Sequence, residues 1–295
     1  MDAPPGVTAS RMPGARPRVI ATDLDGTLLR SDGSVSARTV AALEAAAAQG
    51  IPTLLVTARP PRWLHGLSEL IGAHGIAICG NGAFVYDVAA RRVVEAHLFD
   101  RDELAAVVGD LRAHIPEVKI AAECPSGLWV EPGWPNPHRE ADAHRRTGAI
   151  EELLASEHPD DGVGKLLGLA RGRSTADFLA AVHASVGDRA VLAYSGAFGL
   201  AELNPPGVTK AAGLARWCDE YGIRAAEVWA FGDMPNDLPM LRWAGRSFAV
   251  ANADAEVLSA ATDRCPANDD DGVAQIIEQV LSASGAGPHV AEPGK

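Results

Sequence analysis

The chain has 295 residues, an apolar fraction of 47% and a formal net charge of −12. This length and apolar content supply a core for one large or two smaller domains. The acidic balance argues against nonspecific nucleic-acid binding, which needs clustered Lys and Arg. The four cysteines lie far apart in the sequence, which disfavours a zinc site or a disulfide framework and is typical of a reducing cytoplasm.

The two ends of the chain differ in composition from its middle. Residues 1–17 contain Pro, Gly and Arg without a hydrophobic stretch, so we expect a disordered leader and not a secretory signal. Residues 283–295 have the composition of a flexible tail. No apolar run reaches transmembrane length. We therefore expect a cytoplasmic protein without membrane or nucleic-acid partners, whose oligomeric state the sequence leaves open.

The first predicted strand begins at Val19 and runs into two carboxylates, Asp23 and Asp25, followed by Gly-Thr. In α/β proteins, sites form outside the carboxyl ends of strands. Residues two apart on an extended chain share a side, so the two carboxylates would lie together and repel unless a cation or proton lies between them. An ordinary Asp-Gly turn is the alternative.

Polar residues also follow the next two predicted strands. After a helix over 39–50, the second strand starts at Ile51 and ends at Thr57, just before Arg59. A Thr hydroxyl and free N–H groups at a helix start suit an anion, although a plain N-cap is also common. Asn81 lies in a Gly-Asn-Gly turn after the third strand. This turn either places Asn81 over the site or forms a simple hairpin.

Strands and helices mix without a βαβ pattern over residues 85–204, which suits an α+β unit inserted into the first domain. Helices are predicted over 101–114 and 175–186. Trp129 and Trp134 are assigned to packing, although either could stack on a ring. A loop in this unit carries basic residues that could contact an anionic or hydroxyl-rich leaving group, or could simply face solvent; they are His138, Arg139, Arg145 and Arg146.

The βαβ pattern returns at Lys210, which starts a helix that is predicted to run to Tyr221. Lys at a helix N-terminus opposes the helix dipole. Either an anionic ligand or the carboxylate cluster must compensate, or the side chain points away into solvent. The next strand is followed by Asp233, Asn236 and Asp237.

Four carboxylates and one Lys would thus meet at the carboxyl ends of these strands, which requires a hard cation among them. Oxygen donors with few His or Cys favour Mg²⁺. Mg²⁺ held by carboxylates is typical of phosphoryl chemistry, which needs charge neutralisation and in-line positioning. The carboxylates in this predicted cluster are Asp23, Asp25, Asp233 and Asp237.

These motifs together resemble those of the haloacid dehalogenase-like (HAD) hydrolases, and more closely the Cof-type phosphatases of subclass IIB. The resemblance covers residues 18–282. Asp23-Leu24-Asp25-Gly26-Thr27 matches the first motif of that superfamily, Thr57 the second, Lys210 the third and Gly232–Asp237 the fourth. Ala58 and Ala211 stand where Gly is usual, which affects fine backbone geometry and not the reaction.

The resemblance implies a doubly wound, Rossmann-like parallel sheet core over 18–84 and 205–282, with a C2-type α+β cap over 85–204. Only 31 residues (26–56) lie between Asp25 and Thr57, too few for the helical cap of other subclasses. In contrast, 150 residues (60–209) lie between Arg59 and Lys210. The cap should close over the site and exclude water.

Residue roles follow from the same resemblance. Asp23 is expected to be the nucleophile that becomes phosphorylated, and Asp25 the general acid/base that gives its backbone carbonyl to the metal. The expected phosphate- or substrate-binding residues are Thr57, Lys210 and Asn236 from this resemblance, together with Arg59 and Asn81 from their positions after the second and third predicted strands. The expected Mg²⁺ ligands and orienting residues are Asp23, Asp25, Asp233 and Asp237.

The expected activity is Mg²⁺-dependent hydrolysis of a small phosphomonoester, such as a sugar phosphate or a phosphorylated cofactor, through an aspartyl phosphate. A phosphotransferase or phosphomutase could use the same aspartyl phosphate. A non-catalytic sensor of a phosphorylated metabolite is a further alternative, although such a sensor gains nothing from a nucleophile paired with an acid.

Overall fold

The computed structural model describes residues 16–67, 75–135, 145–156, 162–196 and 199–285. Its strands are β1 Val19–Thr22, β2 Thr53–Val56, β3 Ile76–Cys79, β4 Phe84–Asp87, β5 Arg92–Ala96, β6 Lys119–Cys124, β7 Gly127–Val130, β8 Arg145–Thr147, β9 Lys165–Leu169, β10 Val191–Ala193, β11 Leu200–Asn204, β12 Val228–Gly232, β13 Arg246–Val250 and β14 Asp263–Cys265. Its α-helices are α1 Ala37–Ala48, α2 Arg101–His114, α3 Ile150–Ala155, α4 Thr175–Val186, α5 Lys210–Glu220, α6 Leu238–Trp243, α7 Ala255–Ala260 and α8 Gly272–Gly285.

The larger sheet has eight strands in the order β14-β13-β12-β1-β2-β3-β4-β5. The pairs from β14 through β3 are parallel, and β4 and β5 continue the sheet antiparallel. All four residues of the central strand β1 are buried. A continuous apolar strand of this kind is typical of a parallel sheet covered on both faces. The predicted α/β class and Rossmann-like core are confirmed.

Helices cover both faces of this sheet because successive strand residues point to opposite sides. Ile20 packs in a cluster with residues of α1 and α8, whereas Val19 and Ala21 pack with residues of α5, α6 and α7. The chain therefore winds around the sheet in both directions. Strands β2 and β3 follow β1 on one side of the sheet, whereas β12, β13 and β14 extend the sheet on the other side. This change of direction leaves a crevice at the carboxyl end of β1.

The smaller sheet has six strands in the order β10-β11-β9-β6-β7-β8. All its pairs are antiparallel except β7–β8. Helices α2, α3 and α4 contribute to the cluster that covers one face. The helices predicted over 101–114 and 175–186 form with those bounds.

The boundary between the two units differs from the sequence-based one. The inserted unit was expected to start at residue 85, but β4 and β5 hydrogen-bond within the larger sheet as far as Ala96. A hairpin strand has the same alternating pattern in either sheet, so the sequence does not assign it. We propose that the insertion begins after Ala96 and ends with β11 at Asn204.

The ends of the chain are partly covered by the structure. Residues 1–15 of the expected leader and 286–295 of the expected tail lie outside the described residues. Helix α8 extends to Gly285, so residues 283–285 are helical and not part of a tail. No helix within the described ranges is long and apolar enough to cross a membrane.

Gly82 lies close to the backbone of Thr209, at the start of α5. Its φ is +104°, and a Cβ there would lie 2.8 Å from the carbonyl carbon of Thr209. We expect Gly82→Ala to lower the free energy of unfolding by about 1–3 kcal/mol more than Gly172→Ala. Gly172 also has a positive φ, +85°, but a Cβ there meets nothing within 4 Å. Urea denaturation of both variants measures the difference, and equal losses would contradict a backbone clash.

Candidate active site

Asp23 lies directly after β1 at the crevice. Its N–H donates to the Phe231 carbonyl on the neighbouring strand (3.0 Å), and its side chain is buried. The chain then turns sharply, with a hydrogen bond from the Leu29 N–H to the Leu24 carbonyl (2.8 Å). Gly26 in this turn has a φ of +78°, and a Cβ there would collide with the Asp233 carboxylate. Gly26 therefore lets the turn approach the end of β12.

Two asparagines hold this turn from the other half of the sheet. The Asn252 amide donates to the Gly26 carbonyl (2.8 Å), and its own oxygen accepts from the Asn268 N–H (3.0 Å). The Asn268 amide donates to the Leu29 carbonyl (2.9 Å). Backbone conformation around the predicted nucleophile therefore depends on residues more than 220 positions away along the chain.

Lys210 is the first residue of α5 and is almost completely buried. Its ammonium group lies 2.5 Å from Asp23 Oδ1 and 2.7 Å from Asp237 Oδ1. These two carboxylates supply the compensation that a cation at a helix N-terminus requires. The side chain does not point into solvent.

Asp23, Asp233 and Asp237 form an acidic triad, with one carboxylate oxygen from each lying within 4.8 Å of the others. Asp237 Oδ2 accepts from the N–H groups of Asp233 and Met234, both at 3.0 Å. The Thr27 hydroxyl donates to Asp233 Oδ1 (2.7 Å). The triad could hold a metal ion, and its all-oxygen donor set suits a hard divalent cation.

The electrostatics of the triad favour such a cation. Burial raises the pKa of Asp23 well above its ordinary value; Lys210 opposes this rise, and the charges of Asp237 and Asp233 add to it. Burial and the charge of Asp237 raise the pKa of Asp233 to about 6. One ammonium group thus only partly offsets three carboxylates, and a divalent cation would stabilise their ionised forms.

Asp25 lies outside the triad. Its carboxylate is 60% exposed and forms a bidentate ion pair with Arg59, with Nε–Oδ2 at 2.8 Å and Nη2–Oδ1 at 2.5 Å. The expectation that four carboxylate side chains converge is therefore wrong for this residue. The extended conformation does not continue past Asp23, because the Leu24–Leu28 turn re-aims the chain. Metal binding by the Asp25 backbone carbonyl stays a prediction.

Thr57 and Asn81 lie side by side at the ends of β2 and β3. The Thr57 hydroxyl accepts from the Arg59 N–H (3.0 Å), and the Thr57 carbonyl accepts from the Asn81 N–H (3.0 Å). The Asn81 amide donates to Glu202 Oε2 (2.7 Å) and accepts from the Asn236 amide (3.3 Å). Asn81 therefore bridges to the inserted unit through Glu202, and its role at the site stays a prediction.

A cavity of about 650 Å³ opens between the two units. Five of the residues singled out from the sequence line it: Asp23, Asp25, Arg59, Lys210 and Asn236. Thr57, Asp233 and Asp237 are buried and do not line this cavity.

Sequence reasoning missed two ion pairs in the cavity wall. Arg62 Nη2 donates to Glu123 Oε1 (3.1 Å), and Lys165 Nζ lies 2.6 Å from Glu202 Oε2. Three of these residues lie within strands of the inserted unit. A charged residue inside an otherwise apolar strand, as in Lys165-Leu-Leu-Gly-Leu, is the signal that could have found them.

The basic residues predicted in a loop of the inserted unit do not line the cavity within the described ranges, and Arg145 and Arg146 lie in β8 and not in a loop. Arg145 is exposed, and the Arg146 guanidinium lies over the Trp129 ring at 5.6 Å. His138 and Arg139 lie outside the described residues. Trp129 is buried in the helix-covered core and Trp134 packs against the opposite face, as their assignment to packing predicts.

Sequence and structure comparisons relate this chain to known hydrolases. The profile of the haloacid dehalogenase-like hydrolases matches residues 20–277. The chain belongs to this family. Within it, the chain is a Cof-type enzyme of the phosphatase class.

Two curated relatives and one solved structure illustrate the similarity. The chain is 30% identical to 5-amino-6-(5-phospho-D-ribitylamino)uracil phosphatase of Escherichia coli (strain K12), covering 90% of this chain and 96% of the relative. It is 27% identical to pyridoxal phosphate phosphatase of the same organism, covering 88% and 97%. A HAD subclass IIB sugar phosphatase of known structure superposes with a TM-score of 0.72 at 23% identity, covering 88% and 98%, and supports the fold.

Removal of the Lys210 charge should destabilise the protein strongly. Lys210→Met leaves the buried Asp23 and Asp237 carboxylates without their partner, and we expect the metal-free protein to lose about 3–5 kcal/mol of unfolding free energy. Urea denaturation measures this loss. Arg38→Met is the control, because the pair of Arg38 with Glu278 is exposed and should contribute almost nothing. Equal losses in the two variants would contradict the electrostatic role of Lys210.

Divalent-cation binding should weaken in acid. Because the pKa of Asp233 is about 6, this carboxylate is ionised above that pH and protonated below it, where a cation must displace the proton. We expect the affinity of metal-free protein for Mg²⁺ to fall roughly tenfold per pH unit below about pH 6. Isothermal titration calorimetry from about pH 7.5 to about pH 5 measures it. Asp233→Asn should remove most of the affinity and leave a shallower pH dependence that comes from Asp23, whereas a constant affinity in the unsubstituted protein would contradict the argument.

Proposed function

We propose that this enzyme hydrolyses a small phosphomonoester with Mg²⁺, through a phosphorylated Asp23. The observation that carries the proposal is the position of Asp23. Its buried carboxylate lies at the wall of a 650 Å³ cavity, 2.5 Å from the Lys210 ammonium group and beside two further carboxylates. A buried carboxylate between a cation and a metal-binding cluster is suited to attack a neutralised phosphoryl group.

In the first step, an Asp23 carboxylate oxygen forms a bond to phosphorus as the bond from phosphorus to the leaving oxygen breaks. Asp25 donates a proton to that oxygen, so the leaving group departs as an alcohol. The Asp25 carboxylate lines the same cavity as Asp23 and is held there by Arg59. Lys210 offsets the negative charge of the phosphoryl group throughout.

In the second step, a water molecule gives its proton to Asp25 and attacks phosphorus, and the bond between phosphorus and the Asp23 oxygen breaks. Inorganic phosphate leaves and both carboxylates return to their starting state. One acid thus serves as proton donor and then as proton acceptor. The Thr57 hydroxyl, at the end of β2, is assigned to hold the phosphoryl oxygens in both steps.

Asp23, Asp233 and the Asp25 carbonyl would hold Mg²⁺, and Asp237 would orient them through its hydrogen bonds to the loop N–H groups of Asp233 and Met234. Bound Mg²⁺ supplies neutralisation of the charge that develops on the phosphoryl oxygens. The all-oxygen triad and its raised pKa values support this choice of cation.

The substrate is proposed to be a small phosphorylated metabolite. The E. coli relatives are named for a ribitylaminouracil phosphate and for pyridoxal phosphate, and the structural neighbour is described as a sugar phosphatase. In each case a small organic alcohol carries the phosphate. A cavity of about 650 Å³ is large enough for such a molecule and too small for a folded macromolecule.

Substitution of the nucleophile tests the mechanism. We expect Asp23→Asn to abolish phosphate release from a panel of sugar phosphates, nucleotides and cofactor phosphates, because a neutral amide cannot form the acyl phosphate. Phosphate release is measured with and without Mg²⁺. Intact-mass spectrometry of acid-quenched wild type should show one added phosphoryl group, and Asp23→Asn should show none.

Asp271→Asn is the matched control, since Asp271 pairs with Arg30 away from the cavity and should leave turnover unchanged. Phosphate transfer to an added alcohol, with little free phosphate, would replace the hydrolase with a phosphotransferase. Tight ligand binding by folded protein without any turnover would favour a sensor and overturn the proposal.

A further inference from the structure

The inserted sheet presents a charged strip to the cavity. Successive strand residues alternate between faces. Leu166 on β9 and Leu203 on β11 pack into the helix-covered core, whereas Lys165, Leu167 and Glu202 line the cavity. A lysine and a glutamate thus occupy cavity-facing positions of two neighbouring strands, where they also contact Ala58 and Asn81 of the other unit.

Lys165 and Glu202 form a buried ion pair. Their side chains are 5% and 2% exposed, and Lys165 Nζ lies 2.6 Å from Glu202 Oε2. The Asn81 amide donates to the same oxygen (2.7 Å), and the Ser195 hydroxyl donates to Oε1. Burial would raise the pKa of Glu202, but the Lys165 charge and these hydrogen bonds outweigh it and hold the pKa below its ordinary value. Glu202 is therefore a carboxylate at neutral pH.

Packing alone does not require this pair. Desolvation of two charges costs about as much as their attraction returns, and apolar residues of similar volume often replace such pairs without loss. A buried pair on the wall of a substrate cavity is explained more directly by what it can bind. The pair has no net charge, so it gives no attraction to a second phosphate or carboxylate on the substrate.

The pair retains hydrogen-bonding capacity. An ammonium group has three donors, and within the described ranges Lys165 uses two, toward Glu202 and toward the Ala58 carbonyl (3.0 Å). A carboxylate has about four acceptor positions, and the described residues occupy three on Glu202. Within the described ranges, one donor of Lys165 and one acceptor position of Glu202 therefore remain, on two groups that contact each other. A hydroxyl group both accepts and donates, and so complements this combination.

We propose that Lys165 and Glu202 determine specificity by binding hydroxyl groups of the leaving alcohol, so that the enzyme selects phosphorylated polyols and sugars over alkyl phosphates of equal length. This inference rests on the phosphatase function proposed above. Binding sites built to hydrogen-bond a hydroxyl discriminate strongly against analogues that lack it, because the buried polar groups are then left without a partner.

The test compares ribitol 5-phosphate with pentyl phosphate, which has the same carbon chain without hydroxyl groups. We expect wild type to favour ribitol 5-phosphate in kcat/KM by roughly hundredfold or more. Glu202→Gln removes the charge and one acceptor at constant shape, and should reduce this ratio by roughly tenfold to hundredfold. Ser195→Ala keeps the ion pair but removes one donor to Glu202, and should lower the ratio less.

Glu117→Gln is the control within the inserted unit, because its pair with Arg173 is exposed and lies outside the cavity wall. It should leave the ratio unchanged. Urea denaturation of each variant confirms folding. Equal losses on both substrates in Glu202→Gln and Ser195→Ala would show that the pair is structural and overturn the proposal.

The p-nitrophenyl phosphate reaction separates this inference from the function on which it rests. Hydrolysis of p-nitrophenyl phosphate without a preference for ribitol 5-phosphate over pentyl phosphate overturns the role of Lys165 and Glu202 and leaves the phosphatase intact. No hydrolysis of any of the three esters by folded, Mg²⁺-loaded protein overturns the proposed function itself.

Discussion

The arrangement of the larger unit depends on the buried charge cluster around Lys210. Three carboxylates and one ammonium group share the carboxyl end of the central strands, where water cannot screen them. The Lys210 ammonium group lies at the N-terminus of α5, where the helix dipole disfavours a positive charge. The carboxylates of Asp23 and Asp237 make this position favourable. A divalent cation would relieve the excess negative charge of this metal-free cluster. Stability and chemistry are therefore linked through a single set of charges.

Much of the surrounding structure serves to keep these groups in place. Gly26 permits the close approach of the first turn to Asp233, and Asn252 and Asn268 fix that turn from a distant segment of the chain. The Asp237 carboxylate pairs with Lys210 and also accepts hydrogen bonds from the N–H groups of Asp233 and Met234. It therefore links the position of the Lys210 charge to the conformation of the loop after β12. These supports hold the Asp23 carboxylate in place before substrate arrives, and in the proposed mechanism this would reduce reorganisation during the reaction.

The inserted unit completes the site from the opposite side. One face of its sheet packs on helices, and the other face is turned to the cavity. Polar residues of this second face contact the loops that follow β2 and β3. Glu202 touches Asn81, and Lys165 touches the carbonyl of Ala58, which lies between two residues assigned to the phosphate. In the proposed mechanism, recognition of the leaving group and placement of the phosphoryl group would thus be connected through these hydrogen bonds. This connection distinguishes the cavity from a passive apolar pocket.

The α/β class, the succession of strands and helices along the chain and the polar residues at the strand ends were predictable from the sequence, because hydrophobic periodicity and the residues at strand ends are local properties. The sequence also indicated that Lys210 needs a compensating anion unless its side chain points into solvent, since the helix dipole depends only on chain direction. Only the tertiary structure decided that Asp25 turns away to Arg59, that β4 and β5 belong to the larger sheet, and that Lys165 pairs with Glu202. Each of these depends on contacts between segments distant in the chain: a turn re-aims one side chain, a hairpin fits either sheet by pattern, and two inward charges meet only after the strands have paired.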